Sequence, residues 1–557
     1  MGTYTNPVYR YVKPSELGEG AAPSARPVVI VGAGPVGLTA AIDLAMQDIP
    51  VLVLDEDETV STGSRAICWS KRTLEIWDRL GVATPMVEKG VTWDTGKLFV
   101  GDRLAYSFAL TPEAHQQFPA FINLQQYYVE EYLVKRCSEL PDIELRWKNK
   151  VVGVEPGPDG TVLEIETPDG RYRLAAQYVI AADGVRSTVR HAMGLSFPGQ
   201  VFNDRFLIAD VHMKASFPSE RWFWFDPPFH PNQSALLHRQ ADDVWRIDFQ
   251  LGPDADPERE GRAEAVTPRL KAMLGEQIAF DYEWISVYSF TCRCMDSFVH
   301  GRVLFAGDAA HVVSPFGARG GNSGVADADN LAWKLGLVLR GQASPQLLQS
   351  YSQERLQAAQ ENQRHSTRST DFITPKNEAS RSLRDAVLSL APDFPFARTL
   401  VNSGRLSTPT TYRGSPLVTP DEEPEDWSGN TGPGAPSVDG PVASGGDLGW
   451  LLDRLGGRFT LLVFAERAAE IDLRMVAACE AMAGPVKLAP LLVTRRGASS
   501  EIAWPVAEDI ENVLWHRYDA RAGTVYLIRP DHHVAARWRQ FDRGKVALAL
   551  RRAVAAD

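Results

Sequence analysis

The stretch FAGDAAHVVSPFGARGGNSGVADADNLAWKL, residues 305–335, decides how this chain is read. An apolar strand, Arg302-Val303-Leu304-Phe305-Ala306, runs into Gly307-Asp308; a glycine-broken loop follows, and a helix begins near Gly321. That order sets one carboxylate and a row of unbonded backbone N–H groups around whatever occupies the loop. A helix start favours electron-rich groups through its dipole and its free donors.

A second motif precedes it. Residues 28–31 form an apolar strand, then come Gly32-Ala33-Gly34-Pro35-Val36-Gly37, the helix-like Leu38-Thr39-Ala40-Ala41-Ile42-Asp43-Leu44, and a strand over 51–54 that ends at Asp55. This is the dinucleotide fingerprint: glycines allow a tight turn and close approach of a pyrophosphate, and an acid about 20 positions on accepts ribose hydroxyls. Glu56 is the neighbouring alternative, but the strand end favours Asp55. A third segment, Asp183-Gly184-Val185-Arg186-Ser187-Thr188-Val189-Arg190, reads locally as a strand-to-helix turn with an acid able to cap the helix.

The 557 residues predict about three to four domain-sized units. With 44% hydrophobic and 23% charged residues the composition is that of a globular enzyme, and a net charge of −12 without any basic run argues against a nucleic-acid partner. Residues 1–13 contain no apolar signal core, and the most apolar run, 28–46, is broken by Gly32, Gly34, Pro35, Gly37 and Asp43, so neither export nor a membrane span is expected. Five sparse cysteines, with Cys292-Arg293-Cys294 lacking a second ligand pair, predict no metal site and a reducing, cytoplasmic setting.

Residues 1–26 read as a polar tail with few anchors, made irregular by Pro7, Pro14, Gly18, Gly20 and Pro23. Residues 27–199 alternate strand and helix, with helices over 70–80 and 126–138 and strands over 143–154, 161–167 and 171–174. Residues 200–290 turn aromatic and alternating, as in a β-sheet inserted to floor or cover a substrate. The nucleotide fold resumes across 291–412. Residues 413–447, rich in Pro, Gly, Ser and acids, read as a linker or extended arm. Across 448–557 the order is strand 459–464, helix 467–482, strands 486–493, 524–529 and 533–538, and helix 545–554.

Within the inserted sheet, strand alternation puts His238 and Gln240 on one face of a hairpin, and Arg246, Asp248 and Gln250 on one face of the returning strand. Asp248 or His238 could act as a positioned general base. A solvent-facing hairpin edge remains the alternative.

The ordered agreement over 305–335, 32–37 and 183–190 resembles the group A flavoprotein aromatic hydroxylases, the para-hydroxybenzoate hydroxylase-like family. The resemblance implies an α/β (α+β) fold: a Rossmann-like FAD-binding domain with an inserted β-sheet substrate domain. The 448–557 order is similar to the thioredoxin-like C-terminal domain of the phenol and hydroxyphenylpropionate hydroxylase branches. A redox-active copy of that fold needs a C-x-x-C pair; with Cys479 alone, a structural or dimer-contact role is expected.

By the same resemblance, Asp183 and Gly184 hold the pyrophosphate, and Arg65 offers it charge-assisted hydrogen bonds. Gln126 contacts the FAD, with Gln125 as the register alternative. Gly307 and Asp308 anchor the flavin together with the backbone of Gly320, Gly321 and Asn322, Arg246 touches it, and the flanking His238, Gln240 and Asp248 contact substrate, with Trp224 as a further expected substrate contact. The loop 314–320 is similar to a G-A-K-G variant, with Arg319 in the lysine's place, which sets the carbonyl of Pro315 beside the reacting ring. His311 is expected to be a packed structural residue. Gln240 stands where the benzoate enzyme has a carboxylate-clamping arginine, so a simple hydroxybenzoate is not the expected substrate.

The implied reaction is a single-component hydroxylation of a phenol: NADH or NADPH reduces FAD, O2 forms the C4a-hydroperoxide, and the phenolate takes the oxygen. Alternatives are a polycyclic polyketide-type hydroxylase and a non-catalytic flavin-binding protein. A flavin halogenase is not matched, because Trp222-Phe223-Trp224-Phe225 continues as Asp226-Pro227 rather than with that class's W-x-W-x-I-P motif.

Overall fold

The computed structural model describes residues 4–18, 25–110, 114–215, 217–401, 406–467, 475, 486, 488–495 and 504–556. Three large sheets and a small one of Cys68–Ser70, Phe121–Asn123 and Val91–Thr92 organise the described residues.

The first is built on parallel strands in the spatial order Val303–Phe305, Gly170–Ala181, Ala25–Val31, Val51–Leu54, Ile143–Arg146. Val28, Val29 and Ile30 are wholly buried, as are Val53, Leu54, Val179 and Ile180. Both faces of such a sheet are covered, so its strands read as continuous apolar runs. The helix Pro35–Ala45 packs against both Gln126–Glu139 and Gly320–Leu339. The turn that launches it needs its glycines. Gly32 has φ of 106°, and a Cβ on Gly37 would lie 2.0 Å from the Gly32 carbonyl oxygen.

The second sheet has eight strands, in the order His311–Val312, Phe280–Cys294, Gly199–Met213, Val244–Leu251, Ser234–Arg239, Arg221–Phe225, Thr95–Val100, Arg103–Ala109. It therefore exceeds the expected 200–290 insertion: the hairpin Thr95–Ala109, expected in the nucleotide part, adds to its edge by parallel pairing with Arg221–Phe225. One face packs on the helix Ala263–Leu274 through Leu237, Trp245, Ile247, Phe249, Val266 and Leu270. The other faces residues 64–68 and Phe316.

The third sheet runs Asp447–Trp450, Pro441–Ser444, Val506–Asp509, Leu488–Arg495, Phe459–Ala465, Val525–Ile528, Val534–Trp538. Phe459–Ala465 pairs parallel with Leu488–Arg495 and antiparallel with Val525–Ile528, and the helix Arg543–Ala553 follows, which is the thioredoxin-like arrangement. The helix expected over 467–482, with Cys479, lies outside the described residues apart from Arg467 and Met475. No helix among the described residues is long and apolar enough to cross a membrane.

Two expectations about connecting segments are corrected. The N-terminal tail is anchored by aromatic rings: Tyr4 stacks on Tyr127 at 4.0 Å, and Tyr9 stacks on Trp147 at 4.4 Å. The 413–447 linker is a packed arm whose backbone bonds the Val534–Trp538 edge: Thr419 N–H donates to the Ala535 carbonyl, Gly434 N–H to Val534 and Ser437 N–H to His532. It also ends in a strand, Pro441–Ser444. Both segments are polar in composition, and their anchors are single rings and backbone groups that composition does not reveal.

Candidate active site

The carboxyl ends of the parallel strands form the expected cradle for a dinucleotide. Asp55, at the end of Val51–Leu54, accepts from the Ala33 N–H at 2.6 Å and from the Asp57 N–H at 2.9 Å. Burial raises the Asp55 carboxyl's pKa. Glu56, the neighbouring candidate, is exposed and pairs with Lys150 at 2.8 Å, away from the cradle. The side chain of Asp183 accepts from the Val189 N–H at 3.0 Å, while its other oxygen is buried with no partner. Ser187 caps the short helix there by accepting from Arg190 N–H at 3.0 Å. Asp308 is open to the cleft but ringed by protein on its other sides, and that desolvation raises its carboxyl's pKa.

The helix Gly320–Leu339 starts one residue before the expected Gly321, with Arg319 at its N-cap. The Asn322 side chain is fully engaged. Its amide donates to the carbonyls of Cys68 (2.9 Å) and Ala318 (2.7 Å), and its oxygen accepts from the Ser70 N–H (2.9 Å) and Thr73 Oγ1 (2.6 Å). It ties the helix start to the strand Cys68–Ser70, leaving backbone N–H groups to face the cleft. Pro315 is exposed there; its carbonyl accepts from the Ala318 N–H at 3.1 Å, closing a tight turn in which Ala318 has φ of 53°. His311 is buried and bonded to Asp327 at 2.7 Å.

Residues 64–66 connect the cradle to the second sheet. Gln126, first residue of its helix, accepts from the Ala66 N–H at 3.1 Å and donates to Glu130 at 2.8 Å. Gln125 instead donates to the Ala241 carbonyl. Arg65 projects its side chain into solvent at the cleft, while its carbonyl lies 3.4 Å from Arg246 Nη1. Arg246 also donates to the Ser64 carbonyl and to both oxygens of Asp210, at 2.8 and 2.7 Å. Burial works against its charge, but Asp210 more than offsets this.

Strand register builds the pocket face in rows. Arg246 pairs with His238 on one side and Asp210 on the other. Asp248 pairs with Leu236 and Ile208, and Gln250 with Phe206, which pairs with Tyr288. Side chains in these rows share one face. His238 is buried with Nε2 unpartnered; burial first, then Arg221 and Arg246, push its pKa well below the usual range. Asp248 has a buried oxygen without a partner, and burial pushes its carboxyl up to about 6 against the pull of Arg246. Burial, then Asp248, raises the pKa of Tyr288. Beyond them Phe206, Phe290 and Phe316 pack together at ring separations of 4.5 to 5.3 Å, joining the Pro315 loop to the sheet.

Two expected substrate contacts are misplaced. Trp224 faces the other way, stacked on Phe99 at 5.1 Å over the helix-covered core. Its neighbours Phe223 and Phe225 take the cleft face, because Phe223 pairs with Leu236 and Phe225 with Ser234. The aromatic run 222–225 has apolar residues on both faces, so alternation alone could not choose between them. Gln240 is buried at the hairpin end, where it donates to Asp210 at 3.1 Å and so supports Arg246 indirectly. Asp210, Arg221, Phe223 and Tyr288 were not legible from sequence; only the register beside Arg246 and Asp248 reveals them. A separate cavity of about 190 Å³ touches Tyr4, Ser64, Asp210 and Trp284 but neither Asp248 nor Pro315.

The cradle fits a flavin dinucleotide. A Cβ on Gly34 or Gly320 would meet no protein atom within 4 Å, so these positions front open space, and the orphaned Asp183 oxygen adjoins the same strand ends. Comparison with known proteins agrees. The family model described as "FAD binding domain" matches residues 25–366. The chain is 31% identical over 387 residues to a 3-(3-hydroxy-phenyl)propionate/3-hydroxycinnamic acid hydroxylase of Mycolicibacterium smegmatis, covering 68% of this chain and 67% of that protein. It is 31% identical to para-nitrophenol 4-monooxygenase of Pseudomonas sp. strain WBC-3, covering 59% of this chain and 82% of the relative. In fold, it matches a crystal structure of the flavin-dependent monooxygenase PieE with FAD and substrate at a TM-score of 0.82 and 23% identity, over 96% of this chain and all of that one. The chain thus belongs to the FAD binding domain family and, within it, to the FAD-dependent aromatic hydroxylases.

Proposed function

We propose that this protein hydroxylates a phenolic compound, with NADH or NADPH as hydride donor and O2 as oxygen source. The observation that carries this is Asp248: a carboxylate with an unpartnered buried oxygen, poised near pH 6, on the pocket face one row from Arg246. Phenolic substrates in the names of two relatives support it.

Gly32, Gly34, Pro35, Val36 and Gly37 would receive the pyrophosphate of FAD, with Asp55 on the ribose side and Arg65, Gln126, Asp183, Gly307 and Asp308 around it. The backbone of Gly320–Asn322 and the Arg246 guanidinium would face its ring system. FAD, when bound, supplies hydride acceptance and oxygen activation. This chain's own part is positional and protic. Asp248 accepts the phenol proton, which makes the ring electron-rich. Its neighbour His238, held neutral by burial and two arginines, adds no positive charge of its own. The Pro315 turn and the Phe206, Phe290 and Phe316 rings hold the ring and exclude water.

The test is oxidation of NADH and NADPH by the FAD-loaded enzyme, with and without a panel of phenols, and mass spectrometry of products. Stimulated oxidation with gain of one oxygen atom is the expected result. A panel in which no phenol raises the rate or yields product would sink the proposal.

A further inference from the structure

A chain of three side chains ties the second flavin motif to the thioredoxin-like part. Asp327, on the helix Gly320–Leu339, is wholly buried and uses both oxygens. Oδ2 accepts from the Gly307 N–H at 2.9 Å and meets His311 Nε2 at 2.7 Å, and Oδ1 accepts from Arg355 Nε at 2.6 Å. Arg355, on the helix Leu347–Ile373, gives its other donors to two further elements. Nη2 donates to the Ser323 carbonyl at 3.1 Å and to the Ser323 hydroxyl at 3.0 Å, and Nη1 donates to the Tyr412 hydroxyl at 2.9 Å. One guanidinium thus holds three things: the Gly307–Asp308 turn through Asp327, the first turn of the helix that fronts the cleft through Ser323, and Tyr412 at the entry to the arm.

The Gly307 turn has no slack. Gly307 has φ of 61°, and a Cβ there would lie 2.9 Å from the Val36 side chain of the first motif. A displacement of Asp327 therefore passes to Asp308, the next residue along. Asp327 serves Gly307, His311 and Arg355 together only as a carboxylate. Burial opposes that charge, but His311 and then Arg355 hold its pKa below the usual range.

Tyr412 is in turn placed by the thioredoxin-like part. Its N–H donates to the Gly434 carbonyl at 2.9 Å, the Gly434 N–H donates to Val534 at 2.7 Å, and its ring lies 4.5 Å from that of His533. The residue before Arg355, Glu354, accepts from Arg529 of the same part. Adjacent residues of one helix therefore grip the thioredoxin-like part and the flavin motif.

We infer that Arg355 is a positioning residue for the flavin and that the thioredoxin-like part acts on it through Tyr412, so that the work of this part is to hold the FAD cradle in shape. The inference rests on the FAD cradle and not on the phenol reading. FAD binding is measured without any substrate, so the two fail separately.

The experiment titrates full-length apoprotein with FAD, following the flavin fluorescence, and melts the same apoprotein samples. Tyr412→Phe removes one acceptor from Arg355 with little change in volume. It should weaken FAD on the order of tenfold, within the range that a packed chain of contacts transmits. Arg355→Lys, whose point charge cannot serve three partners at once, should weaken it further. Tyr518→Phe is the matched control. It deletes an equally buried hydroxyl of the thioredoxin-like part, one that donates to the Val438 carbonyl at 2.8 Å and has no link to Arg355. The control should lower the melting temperature of the apoprotein and leave the FAD dissociation constant unchanged. Wild-type FAD affinity in Tyr412→Phe, or an equal loss of affinity in Tyr518→Phe, overturns the inference.

Discussion

Arg529 donates to both carboxylate oxygens of Glu354, at 2.6 and 2.9 Å, with both side chains fully buried. Glu354 belongs to the helix Leu347–Ile373 of the nucleotide part, and Arg529 follows the strand Val525–Ile528 of the thioredoxin-like part. The bond therefore joins the two units. The same glutamate accepts from Lys334 (2.7 Å), Asn330 (2.8 Å) and Ser415 of the arm (2.6 Å), and Arg529 also holds Asp531. Every lone pair is used, which is the condition for a buried charge cluster to be tolerated.

Removing one partner leaves an uncompensated buried charge. Arg529→Met or Glu354→Gln should cost about 3–5 kcal/mol, seen as a lower thermal midpoint. Burial alone would raise the Glu354 pKa, but Arg529 and then Lys334 pull it well below the usual range. A depressed carboxylate stabilises the fold above its unfolded pKa of about 4.3 and loses that contribution as pH falls below it. Thermal melts from pH 5 down to pH 2 should therefore fall more steeply with pH in the wild type than in Glu354→Gln. Equal slopes would contradict the assignment.

Asp248→Asn should lower kcat by roughly 10²–10⁴-fold while leaving FAD content intact. In the wild type, kcat should fall as pH drops through about 6, where the carboxylate takes a proton. The stability effect has the opposite sign. A carboxyl raised by burial stabilises the fold below its unfolded pKa and loses that contribution as pH rises through about 6, so the asparagine variant should melt higher at pH 7. A wild-type pH profile flat between 5 and 7 would count against Asp248 as the base.

Phe223→Ala and Trp224→Ala separate the two faces of one strand. Trp224 packs against Phe99 and the helix-covered core, so its loss should destabilise by about 3–5 kcal/mol. Phe223 lies in the Asp248 row, so its loss should raise KM for the phenol with a smaller change in melting temperature. Reversal of this pattern would mean that the strand register is wrong.

Gly34→Val tests the cradle. Gly34 has φ of −78°, which any residue adopts, and a Cβ there meets no protein atom. The variant should fold, with a far-UV spectrum like that of the apoprotein, yet purify without yellow cofactor. Full FAD occupancy would show that the pyrophosphate lies elsewhere.

The cofactor motifs were legible because their geometry is local. Gly32-Ala33-Gly34-Pro35-Val36-Gly37 turns a strand into a helix within six residues, so spacing alone carries the constraint. The substrate side was legible only in part. Arg246 and Asp248 follow from alternation, but Trp224 was placed on the wrong face because its strand is aromatic at four successive positions, 222–225. The hairpin Thr95–Ala109 joins a sheet whose other strands begin near residue 199, a pairing that no local pattern encodes.

What the sequence by itself determined is the strand–turn–helix around Gly32–Gly37, with Asp55 at the end of the next strand, and the order of the described strands of the tail, because periodicity and turn chemistry act over a few residues. The tertiary structure alone decided that Arg246 spends its charge on Asp210, and that Glu354 meets Arg529 across 175 residues. Pairing and burial of charge depend on which strands and helices come together, and that is set by packing over the whole chain rather than by neighbours in sequence.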